Sequence, residues 1–439
     1  MIKKIFSSQL RINMASGVAA TVINTASLAV MYPICLSFMG YEKYGVWLVL
    51  STVLTFAQLG NLGIGPAVVK LIAEEHSRND KEAIEHYTAT ALALLCISGT
   101  VVLMVIMLFR EQIIALFRLS SDNAGTVLWL LPYIGMLSIY VFVIQVLNSV
   151  LSGLGRMDLA NYIQSAGRVV LVTVSGAMLY NGGEIESLLV GNVFSNIFMH
   201  IASLICIRRI LDLRFLKMAN FDMQRGKRIL RFGGAVFGGS LINMLLSPFN
   251  KMMLSRYAGV AAMPVYEIAY NGSVQVRALA EVGLRALMPE ISRIGGQLSA
   301  DAGQRIQQLY RRQTKLIFIF GGVVYGLIIL LLPGLLKLWL GAKLVASLPG
   351  TFRIMLIGTF LSLLCVPAYY TLMGLGRVRP CFLSYLIQAA VNVAVIGIVL
   401  LVTGTLSVEM VAWAIVLAMG ATSYYLVRQY RNMVQTLPT

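Results

Sequence analysis

Apolar residues in this chain run in long blocks, broken by short stretches of glycine and charge. A helix needs about 20 apolar residues to cross a bilayer core of roughly 30 Å. About twelve blocks reach that length, near 14–38, 46–68, 87–109, 126–151, 162–180, 187–207, 230–255, 262–288, 315–338, 349–373, 382–403 and 407–427. The block at 262–288 fits least well, because it holds Glu267, Arg277, Glu281 and Arg285. The first block is longer than a signal-peptide core, and no small-residue cleavage site follows it, so it reads as retained. The pattern predicts an all-α polytopic membrane protein.

Composition agrees. Hydrophobic residues make up 58%, charged residues 12%, and mean hydropathy is +0.80. A water-soluble chain of this size needs far more charge on its surface. Cys35, Cys96, Cys206, Cys365 and Cys381 have no paired spacing, which argues against a disulfide framework or a zinc site. The histidines His76, His86 and His200 are scattered and read as loop or helix-end residues.

The formal charge of +17 is distributed for a membrane rather than a nucleic acid. With loops assigned alternately to two sides, one side collects 25 Lys and Arg and the other 7. The positive-inside rule puts the first side, with both termini, in the cytoplasm. Trp47, Trp129, Trp339 and Trp413 then fall near outer span ends, where indole rings favour the interface.

The tetrapeptide Gly-Leu-Gly-Arg occurs at Gly153–Arg156 and again at Gly374–Arg377, 221 positions apart. Other pairs share offsets of 219 to 221: Leu10-Arg11 with Leu230-Arg231, Asn24 with Asn243, Asn61 with Glu281, Gly63 with Gly283. These predict two six-helix lobes related by a parallel repeat, 1–207 and 230–439, as in alternating-access transporters. A basic, amphipathic linker at 208–229 would join them along the cytoplasmic membrane surface. In each tetrapeptide, glycine suits a turn with positive φ, and Arg156 or Arg377 would sit among inner-face lipid phosphates. Gly153, Gly155, Gly374 and Gly376 complete those inner-interface turns.

Met39-Gly-Tyr-Glu-Lys-Tyr-Gly-Val-Trp47, Gln58-Leu-Gly-Asn-Leu-Gly-Ile-Gly65, Ala286-Leu-Met-Pro-Glu-Ile-Ser-Arg293 and the two Gly-Leu-Gly-Arg turns resemble the polysaccharide transporters, which include O-antigen and related lipid-linked oligosaccharide flippases. These belong to the superfamily of multidrug and toxin extruders and lipid II flippases. The resemblance covers essentially the whole chain; the two extra spans typical of lipid II flippases are absent. It implies a V of two six-helix lobes around a central, cationic cavity in the bacterial cytoplasmic membrane. It implies transfer of an undecaprenyl-diphosphate-linked glycan for lipopolysaccharide, capsule or exopolysaccharide synthesis, with a polymerase and a chain-length regulator as partners. No cofactor is expected beyond an unidentified coupling ion, H+ or Na+, and no nucleic acid.

Charges inside spans locate candidate chemistry, since one at a helix centre costs about 2.5–3.5 kcal/mol on insertion scales. Arg277, Glu281 and Arg285 recur every four residues and so share a helix face. Arg277 lies nearest mid-depth, and a guanidinium can grip a diphosphate through paired hydrogen bonds. The plain alternative is a ladder that neutralises itself and fastens helices together. Glu281 and Glu267 are candidates for ion coupling. Arg168, Lys251, Asn24 and Asn243 are further candidates for substrate contact, although each can equally serve helix packing or snorkel to an interface.

Two other readings compete. A multidrug-type, cation-coupled exporter often uses a buried acid in an early span, and spans one to six have none at their centres. A membrane polymerase of the same sugar pathway often carries a large outer loop with catalytic residues; here the longest outer connection, Arg110 to Gly125, holds no histidine.

Overall fold

In the computed structural model, residues 2–211, 221–282, 291 and 302–435 are described. Every regular element among them is helical. This is what long apolar blocks require in lipid, where each backbone N–H and C=O must find its partner within the segment. The helices are α1 Ile2–Phe38, α2 Gly40–Ala57, α3 Ile64–Ser77, α4 Lys81–Leu108, α5 Arg110–Phe117, α6 Ser121–Gly153, α7 Met157–Tyr180 and α8 Glu186–Leu211. They continue as α9 Met223–Ala258, α10 Ala262–Val282, α11 Ala302–Leu316, α12 Gly322–Leu340, α13 Ser347–Leu364, α14 Val366–Gly374, α15 Val378–Thr403 and α16 Val408–Gln435.

Among the described residues, nine helical stretches are long and apolar enough to cross a membrane, ten if a bent pair counts as one span. The blocks expected at 230–255 and 262–288 are not in that set; the first lies within helix α9, and the described part of the second, Ala262–Val282, is helix α10. The block expected as a single span at 46–68 is broken. After α2, residues Gln58–Asn61 tighten into a 3-10 turn, Leu62 and Gly63 take left-handed φ of 49° and 71°, and α3 leaves at 43°. A second break follows α13, where Pro367, the second residue of α14, has no N–H to continue the ladder. Between α11 and α12, Ile317–Gly321 widens into a π turn.

Exposure of apolar side chains fits a lipid solvent. Leu401 is 88% exposed and Leu338 86%, a cost that water would impose and hydrocarbon does not.

Contacts divide the chain into two units, Met1–Pro248 and Phe249–Thr439. In the first, α3, α4 and α6 enclose a core with Ile64, Val68, Ile84, Leu95, Phe142 and Val146. The N-terminal part of α9 is fastened to this unit. Arg228 Nη2 donates to Glu74 Oε2 at 2.8 Å and Nη1 to Tyr87 OH at 2.9 Å. Arg225 Nη1 donates to the Ala83 carbonyl at 3.2 Å. Of the expected linker 208–229, residues 212–220 lie outside the described set; residues 223–229 are the first turns of α9, and Arg225 and Arg228 there bind protein groups.

At the bend before α3, Gly63 meets Gly233 of α9 backbone to backbone. A Cβ on Gly63 would overlap the Gly233 carbonyl, and one on Gly233 would lie 2.8 Å from the Gly63 carbonyl oxygen. Glycine at both positions is therefore a packing requirement as well as a conformational one.

In the second unit, α16 packs against α13 and α15, and α10 against α13. Buried Leu372, Leu426, Tyr430 and Met433 form part of its core, with Tyr310 stacked on Tyr430 at 3.8 Å between centroids.

Candidate functional site

The polar residues of α10 lie in the second unit, in two groups. The first is near the start of the helix. Lys251, in the last turns of α9, places Nζ 2.7 Å from Glu267 Oε2, with side chains only 10% and 16% exposed. Asn271, one turn on from Glu267, donates to its other oxygen at 3.0 Å. Beside this pair, Asn392 of α15 donates to Asn250 Oδ1 at 2.7 Å, and Asn250 donates to Tyr266 OH at 3.3 Å. The Tyr266 ring stacks on Tyr270, 5.5 Å apart and 9° from parallel. Polar groups so placed tie α9, α10 and α15 together where water is scarce.

The second group starts ten residues further along α10, about 15 Å at 1.5 Å per residue. Arg277 Nη2 is 3.3 Å from Glu281 Oε2, an i, i+4 pair. Tyr370 of α14 donates to Glu281 Oε1 at 2.8 Å. The carboxylate is thus shared between Arg277 and Tyr370, and the guanidinium is held on one side. Its Nε is buried and makes no hydrogen bond. Because guanidinium has five N–H donors, most of its capacity faces elsewhere. Val276 and Ala280, on the neighbouring stripe of α10, border an open apolar cavity of about 520 Å³ also lined by Phe320, Tyr325 and Leu363.

In the first unit, Arg168 stands exposed on α7 and Asn24 half-buried on α1; neither has a hydrogen-bond or ion-pair partner among the described residues. The side chain of Asn243, together with Gly283, Arg285 and all of Ala286–Arg293 except Ile291, lies outside the described set. Asn61 donates to Gln145 Oε1 at 2.6 Å, and Gln145 to Gln58 Oε1 at 3.2 Å, bridging the bend before α3 to α6.

The two glycine turns share one backbone geometry. Gly155 and Gly376 have φ of 76° and 74°. The Arg156 N–H reaches the Leu151 carbonyl at 3.0 Å, and the Arg377 N–H the Leu372 carbonyl at 2.9 Å. This is the left-handed cap that ends a helix and turns the chain into the next. Gly153 is buried, and a Cβ there would press on Ile72 at 2.9 Å; Gly374 closes α14. Surroundings differ. Arg156 forks onto buried Asp158 with two 3.0 Å bonds, and Gln9 of α1 donates to the same carboxylate at 3.0 Å. The hydrogen bonds that Arg156 donates to Asp158 hold its guanidinium further above its ordinary range. Arg377 is exposed, and the position matching Asp158 is Arg379.

Several participants escaped the sequence reading. Asn392 is an amide inside an apolar block, and the cost argument that singled out Arg277 applies to it as well. Gln145, inside the block at 126–151, carries the same signal; Tyr370 does not. His200 is within α8, not at its end, and its Nδ1 lies 3.1 Å from Tyr140 OH.

The profile of the polysaccharide biosynthesis protein family matches residues 11–295. No curated protein sequence matches the chain. Among solved structures, an inward-facing multidrug resistance MATE family transporter of the MOP superfamily is similar with a TM-score of 0.72 and 16% identity, over 95% of this chain and 94% of that one. The lipid II flippase MurJ in an inward closed conformation gives 0.70 and 14%, over 94% and 87%. A MOP superfamily transporter from Pyrococcus furiosus, described as having a binding pocket of reverse polarity, gives 0.63 and 16%, over 98% and 96%. At such identities the likeness concerns the fold, which is that of MOP superfamily transporters. With well over half its length matched, this multi-pass membrane chain belongs to the polysaccharide biosynthesis protein family.

Proposed function

We propose that this transporter is a flippase moving an undecaprenyl-diphosphate-linked oligosaccharide from the inner to the outer leaflet of a bacterial cytoplasmic membrane, with both termini in the cytoplasm. Alternating access of two six-helix lobes, 1–207 and 230–439, carries the head group. One observation carries the reading: Arg277 is anchored through a single nitrogen, and its buried Nε has no hydrogen-bond partner. A diphosphate is the ligand such a fork suits best. The apolar cavity beside it favours a ligand whose anion is joined to a hydrocarbon chain. Glu281, fixed by Tyr370, orients the guanidinium and takes part in ion coupling. Lys251, matched to Glu267, is a reserve cation rather than the first contact.

The test is glycan export per folded molecule in Arg277→Ala, Arg277→Lys, Glu281→Gln and the Arg277→Ala/Glu281→Gln double variant. Arg277→Lys keeps charge without the planar fork and should lose part of the activity, while Arg277→Ala should lose nearly all of it at normal abundance. Were Arg277 only a structural partner, Arg277→Ala would lower abundance and the double variant would restore both abundance and export. Full export in the double variant refutes substrate binding. The structural likeness to multidrug transporters gives a second reading, export of drugs, and whole-cell drug susceptibility measured on the same strains separates the two.

A further inference from the structure

The second unit holds another groove. It runs between α13 and α16, has a volume of about 660 Å³, and is lined by Leu361, Leu364, Gly420, Tyr424, Arg428 and Arg431 among others. Ser423 Oγ donates to the Leu361 carbonyl at 3.1 Å and fixes its walls. Gly420 forms an open stretch, since a Cβ there would meet nothing within 4 Å. Residues 420, 424, 428 and 431 follow helical spacing of four, four and three, so they make one stripe on α16.

Depth sorts this stripe by chemistry. Arg428 lies twenty residues beyond Val408, the first residue of α16. At about 1.5 Å per residue, that is roughly 30 Å, the thickness of the hydrocarbon core. Both arginines therefore stand at head-group level, and Gly420 lies about 12 Å deeper, among acyl chains. Arg428 and Arg431 are exposed, and neither has a hydrogen-bond or ion-pair partner among the described residues. Among the described residues, no carboxylate lines the groove.

We infer that this groove is a binding site for one anionic membrane phospholipid, its phosphate between Arg428 and Arg431 and one acyl chain along Gly420 and Leu361. An acyl chain gains little by leaving the surrounding lipid for the groove, so preference among lipids rests on the two charges and the fit of the chain. A zwitterionic phospholipid presents the same phosphate with a cation attached and should bind less well.

The experiment is native mass spectrometry of the purified full chain, titrated with phosphatidylglycerol or with phosphatidylcholine. Phosphatidylglycerol should occupy one site in clear preference. Basic residues at a membrane surface are each worth about a fivefold change in affinity, so Arg428→Ala should weaken binding about fivefold and the double alanine variant about twenty-five-fold. Thermal melting should stay near that of the parent, because neither arginine holds another residue. Gly420→Leu fills the groove without touching charge and should also weaken binding. Equal affinity for the two lipids, or undiminished binding in the double arginine variant, overturns the assignment. So does tighter binding of undecaprenyl phosphate than of phosphatidylglycerol at this site, which would assign the groove to a polyprenyl lipid.

Discussion

Lys251→Met is the substitution whose consequence the structure defines most sharply. Lys251 Nζ sits 2.7 Å from Glu267 Oε2, and both side chains are nearly enclosed. Methionine keeps most of the volume and removes the charge. Among the described residues, Glu267 is then left as a buried anion with only the Asn271 amide at 3.0 Å to solvate it. Removing one partner of a buried ion pair costs about 3–5 kcal/mol. Because Asn271 still donates one hydrogen bond, the low end applies. About 3 kcal/mol is roughly two decades in the ratio of folded to unfolded protein, at 1.4 kcal/mol per decade. Adding Glu267→Gln removes the stranded charge, and the double variant should return to within about 1 kcal/mol of the parent, since a buried pair often barely repays its own desolvation. The assay is the melting temperature and the monodisperse fraction of detergent-solubilised parent, both single variants and the double. Parental stability in Lys251→Met would mean that the pair is not enclosed. A double variant as unstable as Lys251→Met would refute the electrostatic origin of the loss and point to packing.

Two further outcomes are expected. Gly63→Ala combines a left-handed backbone, worth about 1–2 kcal/mol, with an overlap against the Gly233 carbonyl, whereas Gly155→Ala bears only the first cost; the abundance of folded protein should fall much further for Gly63→Ala, and equal losses would refute the backbone contact. Cysteines substituted at exposed positions within 156, 208–231 and 293–312 should resist outside-only thiol reagents in intact spheroplasts, and ready labelling at any of them would contradict a cytoplasmic location.

The helices were legible because a block of twenty apolar residues has few other uses. The break at Leu62–Gly63 was not, since an average over nineteen residues cannot register one left-handed pair inside an apolar run. The Arg277–Glu281 pair was legible because its partners lie four residues apart on one helix. Lys251 and Glu267 were each singled out, but as independent candidates. Their meeting depends on the turn between α9 and α10, which spacing rules do not reach. The same limit hid the bond from Asn392 to Asn250, which joins residues 142 positions apart. Asn24 and Asn243, matched by the repeat, gain no common role: Asn24 has no protein partner among the described residues, and the side chain of Asn243 is not described.

The twin glycine turns show which part of a repeated chain is free to drift. Their shape comes from a positive φ at one glycine and a main-chain bond back to residue 151 or 372. Both features belong to the main chain; among the described residues, a side-chain bond from Asn13 to the Gly155 carbonyl at 3.0 Å is an addition in the first copy. A mutation that alters nearby charge thus escapes the selection that guards the turn. One copy has an arginine forked onto a buried acid and made into a fastening for α1; the other has two exposed arginines and, among the described residues, no such tie. Electrostatics can then be rewritten on one side of the protein while chain direction stays the same on both. In a duplicated transporter, asymmetry of function would begin at such corners, where changing a charge costs the backbone nothing.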